Sequence, residues 1–322
     1  MPKVLVIGDL MIDHYLWGSA NRISPEAPVQ VVDIDNESTV LGGAGNVVNN
    51  LRALGCNVGV ISAIGKDEAG SELKEMLNSI ETKSYLIEQK NRKTSKKSRI
   101  IASHSQVVRY DKESKEDITE ESCHAIFEEF KFIVDDYDIV LLSDYGKGVL
   151  TSKLTLNLIE YANSKNKRVL VDPKGDDYSK YFGAYLLTPN KKEAQEATKI
   201  DIKNNDSLLD ALQSLKQTAN LTIPLITLSE DGIAILDENN KIINKPTVAR
   251  EVYDVTGAGD TVLASLGYCL AQNLDIGKSL EFANLAAGVV VGKLGSATAS
   301  LEEIEEYKSS LHKSSIDSHI KT

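Results

Sequence analysis

Short apolar runs alternate along this chain with longer stretches whose apolar positions recur every three or four residues. Residues 4–7 (Val-Leu-Val-Ile), closed by Gly8-Asp9, predict a buried first strand, because a continuous apolar run leaves neither face for water. Residues 29–35 predict a second strand, after a turn-rich stretch containing Pro25 and Pro28. A helix over 46–54 stops at Gly55, a strand covers 58–64, and 72–80 carries helical periodicity. The polar, basic stretch 90–99 then leads into alternating residues up to Arg109. From Thr119 the order is regular: helix 119–133, strand 139–142, helix 154–163, strand 169–172, short strand 185–188, and a helix from about 191. Helix 208–218, strand 225–228, a hairpin near 237–240, and helices 258–271 and 276–293 complete the core. Beyond Leu301 the chain is polar, with a helix-like start and a frayed end.

Strands alternating with helices predict an α/β fold, with a mostly parallel central sheet covered by helices on both faces. The strands at 29–35 and 95–110 interrupt that alternation and predict a separate small sheet. One domain over 1–310 is expected, with the small-sheet strands near 14–40 and 90–110 and a tail at 311–322. A length of 322 residues, 42% hydrophobic and 26% charged, fits a globular enzyme. The net charge of −11, from 36 basic and 47 acidic residues, argues against nucleic acid or an anionic membrane as partner. No run approaches a membrane span, and the apolar run after Met-Pro-Lys is too short for a signal peptide. With Cys56, Cys123 and Cys269 too scattered for a disulfide framework or metal site, a reduced, cytoplasmic protein is expected.

The chemistry concentrates at Asp254-Val-Thr-Gly-Ala-Gly-Asp260, which runs directly into the apolar helix. Gly257 and Gly259 let backbone amides converge on a small anion, and the helix dipole adds to their field. A carboxylate at Asp260 beside that cup supplies what phosphoryl transfer to a hydroxyl needs, namely held phosphoryl oxygens and an acceptor for the alcohol's proton. The same residues would also make a plain glycine-rich turn with Asp260 as a charge at the helix start.

This segment resembles the C-terminal motif of the ribokinase/PfkB carbohydrate kinases. Gly42-Gly43-Ala44-Gly45-Asn46, about 210 residues earlier, resembles the N-terminal motif of that family, though alone it could be a strand–helix turn. The resemblance spans roughly residues 3–300. It implies a ribokinase-like fold with a β-sheet lid, ATP and Mg²⁺, a homodimer through the lids, and Asp260 as base beside the amides of Gly257, Ala258 and Gly259. It implies a sugar site at Asp13, Gly42, Gly43 and Asn46. On the nucleotide side, Asn190-Lys191-Lys192-Glu193 resembles a motif that places Mg²⁺ through water and contacts phosphate. An N-cap Asn190 with Glu193 completing a capping box reads those residues equally well. Thr227, Ser229 and Gly232 resemble a nucleotide loop in which Ser229 replaces a glycine, and Asn284 matches a position near the adenine.

Gly8-Asp9-Leu-Met-Ile-Asp13-His-Tyr15, Ser143-Asp144-Tyr-Gly-Lys-Gly148 and Asp172-Pro-Lys-Gly175 are similar to the heptose-7-phosphate kinases of ADP-heptose synthesis. In that subgroup the kinase is usually fused to an adenylyltransferase. His14 departs from its usual arginine, and Gly45 from an alanine. The implied substrate is a sugar phosphate, whose phosphate needs cations. Lys97, Arg99 and Arg109 match the subgroup there, within a basic run that could otherwise be a solvated loop, and Asp144 is a candidate for a sugar hydroxyl. No H-x-G-H pair occurs among the histidines, so any adenylyltransferase would be separate or lie on a longer chain. Other PfkB-type sugar kinases and a non-catalytic sugar-binding regulator remain open readings. A Rossmann oxidoreductase lacks its glycine triad after Gly8. Gly288 to Lys293 falls one residue short of a P-loop and predicts helix packing instead.

Overall fold

The computed structural model describes residues 1–102, 105–237, 239–248 and 252–320, with side chains through Leu311. In chain order it forms β1 (Lys3–Gly8), β2 (Leu10–Ile23), β3 (Gln30–Gly43), α1 (Ala44–Ala53), β4 (Asn57–Gly65), α2 (Glu68–Ser79) and β5 (Lys83–Gln89). Then come β6 (Ser95–Ala102), β7 (Ser105–Lys112), α3 (Glu120–Ile133), β8 (Ile139–Ser143), α4 (Ser152–Ser164), β9 (Arg168–Asp172) and β10 (Leu186–Leu187). The last third holds α5 (Lys191–Thr198), α6 (Asn205–Ala219), β11 (Leu225–Thr227), β12 (Ile233–Leu236), β13 (Ile242–Lys245), α7 (Ala258–Ala271), α8 (Ile276–Val290) and α9 (Leu301–Ile320).

The central sheet is parallel throughout, in the order β10-β9-β8-β1-β4-β5. Side chains alternate across it. Val4 and Val6 of β1 pack with Val47 and Leu51 of α1 and Leu263 and Leu266 of α7. Leu5 and Ile7 pack with Ile126 and Phe130 of α3, Leu158 of α4 and Leu212 of α6. Both faces are therefore covered, which is why the strands read as unbroken apolar runs. Isolated bridges Leu186↔Ile223 and Asn190↔Thr227 hand the sheet on to the antiparallel β11-β12-β13, the expected hairpin, whose Glu238 lies outside the described residues.

The chain winds outward from β1 through β4 to β5, then returns to β8 on the other side of β1. This reversal opens a crevice at the carboxyl ends of β1 and β8, where ligands bind in open α/β sheets. Asp9 sits there, buried, accepting the amides of Tyr145 at 2.8 Å, Lys147 at 3.1 Å and Val149 at 3.1 Å. Burial and then the neighbouring Asp144 push its carboxyl up in pKa, against those three donors. Asp9 thereby moulds the loop after β8.

A second sheet, β3-β2-β6-β7, stands over the crevice. The strands expected near 14–40 and 90–110 belong to it, as β3, β2, β6 and β7; the start of β2 at Leu10, inside the body, was not anticipated. Its first five residues are buried in the body, and the rest climb into half-exposed and exposed positions. One strand thus serves two environments, and no single period marks it. Beyond residue 290 the structure departs from expectation. Helix α8 ends at Val290 rather than at 293, and the helix-like start expected after Leu301 continues as α9 through the end expected to fray; residues 321 and 322 lie outside the described set. Gly288 packs under Tyr307 of α9, so the P-loop-like stretch does serve helix packing.

Candidate active site

Helix α7 begins without a side-chain cap, at Gly257 with φ 76°. A Cβ there would lie 2.6 Å from Nδ2 of Asn46, so the left-handed backbone and the close approach both demand glycine. The Ala258 amide returns to Val255 O at 3.2 Å and that of Thr261 to Gly257 O at 3.0 Å. The Gly259 and Asp260 amides lie in the same first turn, at the free end of the helix. A Cβ on Gly259 would meet nothing within 4 Å, so this glycine faces open space. The turn before it is fixed by Asp254, which accepts from the amide and hydroxyl of Thr256 and from the Gly295 amide at 2.9 Å.

Asp260 follows on the first turn, 4% exposed. Asn46 Nδ2 donates to its Oδ2 at 2.7 Å, and the Tyr145 hydroxyl donates to its Oδ1 at 2.7 Å. Asn50 donates to Asn46 O at 2.9 Å and accepts from the Thr261 hydroxyl at 3.0 Å, clamping α1 against α7. Burial raises the Asp260 carboxyl to about 6; the Asn46 and Tyr145 donors and Lys97 oppose it, while Asp13 adds to it.

On one side of Asp260 lie the expected sugar contacts. Asp13 is buried, and Arg99 Nη1 donates to its Oδ1 at 2.6 Å while stacking its guanidinium on Tyr15 at 5.2 Å. A Cβ on Gly42 would collide with Asp13 Oδ2, and one on Gly43, at φ 57°, with the Asp9 carbonyl and Met11, which explains the glycine pair. Lys97 lies 5.9 Å over the Tyr145 ring. Burial, then Lys147 and Arg109 among its neighbours, hold its pKa below the usual lysine value. Arg109 is exposed and chelated by Asp111 through bonds of 2.8 and 2.7 Å, and Lys147 is paired with Glu113 at 2.8 Å.

On the other side opens a cavity of about 490 Å³. Ile233, Val262, Ala287 and Val291 give it an apolar wall, and Ala258 and Gly259 form its inner end. Thr227, Ser229, Gly232, Asn190, Glu193 and Asn284 all line it, as expected. Ser229 adopts φ 53°, the conformation that explains a glycine at this place in the family pattern. Asn284 spends its amide on the carbonyls of Lys245 and Pro246. Asn190 and Glu193 form the full capping box, and Glu193 also takes Lys174 at 2.9 Å. Among the described residues no three His, Cys, Asp or Glu side chains gather as a metal cluster.

Three expected residues sit elsewhere. Lys191 and Lys192 are exposed on α5 and do not line the cavity; the basic pair is a solvated helix start. Asp144 lines this cavity instead of joining Asp13, and its carboxylate is taken by Lys180 at 2.6 Å, Tyr181 at 2.8 Å and the Gly146 amide at 2.8 Å. The sequence reading gave no role to Asp9, Tyr145, Lys147, Asp172 or Lys174. Gly146 and Gly148, at φ 63° and 85°, were the available signal that the loop after β8 is bent around something. Asp172 accepts from Thr188 at 3.1 Å; burial, with Asp260 and Glu193 nearby, raises its pKa well above the carboxylate range.

The family model of the pfkB carbohydrate kinases matches residues 1–304. The bifunctional protein HldE of Aliarcobacter butzleri (strain RM4018) is 64% identical over 322 residues, covering 100% of this chain and 67% of that protein. The bifunctional protein HldE of Sulfurimonas denitrificans is 60% identical over 321 residues, covering 99% and 67%. The chain thus spans about two thirds of the length of those relatives. Among solved structures, phosphofructokinase-2 from Escherichia coli in complex with potassium superposes with a TM-score of 0.81 at 19% identity, over 97% of this chain and 100% of that one. Ribokinase from Arabidopsis thaliana complexed with ribose and ATP gives 0.73 at 18%, over 95% and 98%. At such identities these two likenesses concern the fold.

Proposed function

Because the chain belongs to the pfkB family of carbohydrate kinases, we propose that it phosphorylates D-glycero-β-D-manno-heptose 7-phosphate at O1, using ATP and Mg²⁺. The observation that carries this reading is the seat of Asp260. One carboxylate oxygen touches Asn46 on the sugar side, and the amides beside it open into the nucleotide-side cavity. The similarity to HldE proteins supports the heptose among the sugars of the family.

The residues present fit both ATP and a divalent cation. The apolar wall suits a purine, the α7 start suits phosphate oxygens, and Asn190 with Glu193 offers water-mediated cation contacts. ATP supplies the phosphoryl group, and Mg²⁺ neutralises charge on its phosphates. Asp260 takes the proton of the O1 hydroxyl as that oxygen forms its bond to phosphorus and the bond to the departing ADP breaks. The Gly259 and Asp260 amides hold the charge on the transferring oxygens. Lys97 and Arg109 face the phosphate the sugar already carries, and Arg99 aims Asp13 at the ring hydroxyls. The lid excludes water, so that hydrolysis does not compete.

The lid leaves Ile34, Val107, Val108 and Tyr110 at least 41% exposed, which supports pairing with a second copy; light scattering should give twice the 35.1 kDa chain mass. An adenylyltransferase, fused or separate, completes the proposed route, and the cytoplasm is its proposed place. The test is product analysis after incubation with ATP, Mg²⁺ and the heptose 7-phosphate. A 1,7-bisphosphate from the parent and none from Asp260→Asn is expected. Equal turnover by that variant removes the catalytic assignment, and a different preferred sugar removes the substrate.

A further inference from the structure

Tyr145 touches both halves of the crevice and lies in the Ser143–Gly148 stretch, outside both glycine motifs. Its amide is held by the buried Asp9, its ring lies beneath the Lys97 ammonium, and its hydroxyl ends on Oδ1 of Asp260. Resting on the reading that Asp260 is the base, we propose that Tyr145 is a positioning residue, which aims the Asp260 carboxylate and keeps it ionised at working pH.

The geometry leaves the phenol little other role. With Asn46 on Oδ2 and Tyr145 on Oδ1, each oxygen has one donor in fixed direction, so the carboxylate cannot rotate and each oxygen keeps a lone pair for a substrate hydroxyl. Burial, with Asp260 and Asp172 close by, lifts the Tyr145 hydroxyl well above its ordinary pKa. It therefore stays a donor across the working range. A donor to the charged form favours ionisation, and burial opposes it. The other groups facing Asp260 act in both directions: Asp13 from β2 raises its proton affinity and Lys97 from β6 lowers it, while Asp172, at the end of β9, is itself pushed up by Asp260. Tyr145 joins Asn46 as the group that tips this balance by direct contact.

The position of Tyr145 follows from the loop. Asp9 collects three amides from residues 145–149, and the left-handed Gly146 and Gly148 let the loop close around that carboxylate. The ring is thereby delivered to Asp260 from the strand on the far side of the topological reversal, 115 positions away in sequence.

The test compares the parent with Tyr145→Phe and Tyr145→Leu, using ATP, Mg²⁺ and the sugar phosphate that gives turnover. Phenylalanine keeps the ring under Lys97 and removes only the donor. The acid limb of its kcat/KM profile should move up by about one pH unit, with the KM for ATP unchanged. Leucine should move the limb equally and also raise the KM for the sugar phosphate, because Lys97 loses its aromatic face. Retention of the ATP-induced thermal shift shows that both variants fold. An acid limb in Tyr145→Phe that coincides with the parent's overturns the proposal while leaving Asp260→Asn inactive. Activity in Asp260→Asn would instead overturn the reading beneath it, and this inference with it.

Discussion

Replacing Asp260 by Asn should stabilise the fold at neutral pH while it abolishes turnover. A carboxyl that titrates near 4 in the unfolded chain titrates at about 6 in place, because desolvation outweighs its donors. Each tenfold change in proton affinity is worth about 1.4 kcal/mol, so holding the charged form in the crevice costs about 3 kcal/mol at most. The sign follows from linkage. A raised folded pKa means that the native state binds the proton more tightly, so the group favours folding below about 4 and loses that contribution as pH rises through about 6. Asparagine is neutral throughout, accepts from Asn46 and donates to the Tyr145 oxygen; the Tyr145 hydroxyl proton then loses its acceptor, at a cost of about 1 kcal/mol that does not vary with pH. The net gain should be about 2 kcal/mol at pH 8, small at pH 5, and reversed at pH 4. Scanning fluorimetry should give a rise in apparent Tm of roughly 2–4 °C at pH 8. Equal Tm values at pH 8, or a gap that widens on acidification, would refute the argument from desolvation.

Gly257→Ala places a Cβ against Asn46 at a left-handed backbone position, and should lower both stability, by about 1–3 kcal/mol in urea unfolding, and kcat by at least an order of magnitude. Lys97→Met should raise the KM for the sugar phosphate roughly tenfold to a hundredfold in steady-state assays, with the KM for ATP unmoved, since a charge-assisted contact is worth about 1.5–3 kcal/mol. Ser229→Gly relieves a non-glycine residue at φ 53° and should raise the urea midpoint by an amount equivalent to about 0.5–1 kcal/mol, without loss of turnover.

The site was legible where backbone geometry leaves no choice of residue. Gly257 and Gly42 are glycines because a Cβ would strike Asn46 or Asp13, so the contact between distant motifs is written into each of them. The parallel strands were legible because both of their faces are buried. Elsewhere, one residue type serves two physical purposes. Lys191 and Lys192 look like phosphate ligands beside Asn190, and nothing local separates that role from a solvated first turn. Tyr145 gains its role from a partner 115 residues away, which no local pattern encodes. Over residues 301–311 helix α9 is mostly polar and is held through Ile304, Tyr307 and Leu311, too few apolar anchors to stand out from a polar tail.

The opposed displacements of Asp260 and Lys97 argue that the crevice is organised around a charge it does not itself contain. Burial drives the carboxylate toward neutrality and the ammonium toward neutrality, in the same small volume. Had the two been placed as an ion pair, each would have relieved the other; instead Lys97 sits over the Tyr145 ring, and its cationic neighbours Arg109 and Lys147 are the ones that carry carboxylate partners. An ammonium whose burial Asp13 and Glu113 only partly offset is unfavourable until an anion arrives, so part of the attraction for a phosphate would be built in before binding. In a chain of net charge −11 such a site would also favour one approach for an anionic sugar. Its hydroxyl would then meet a base which burial has already brought close to the working pH, where proton transfer is most effective.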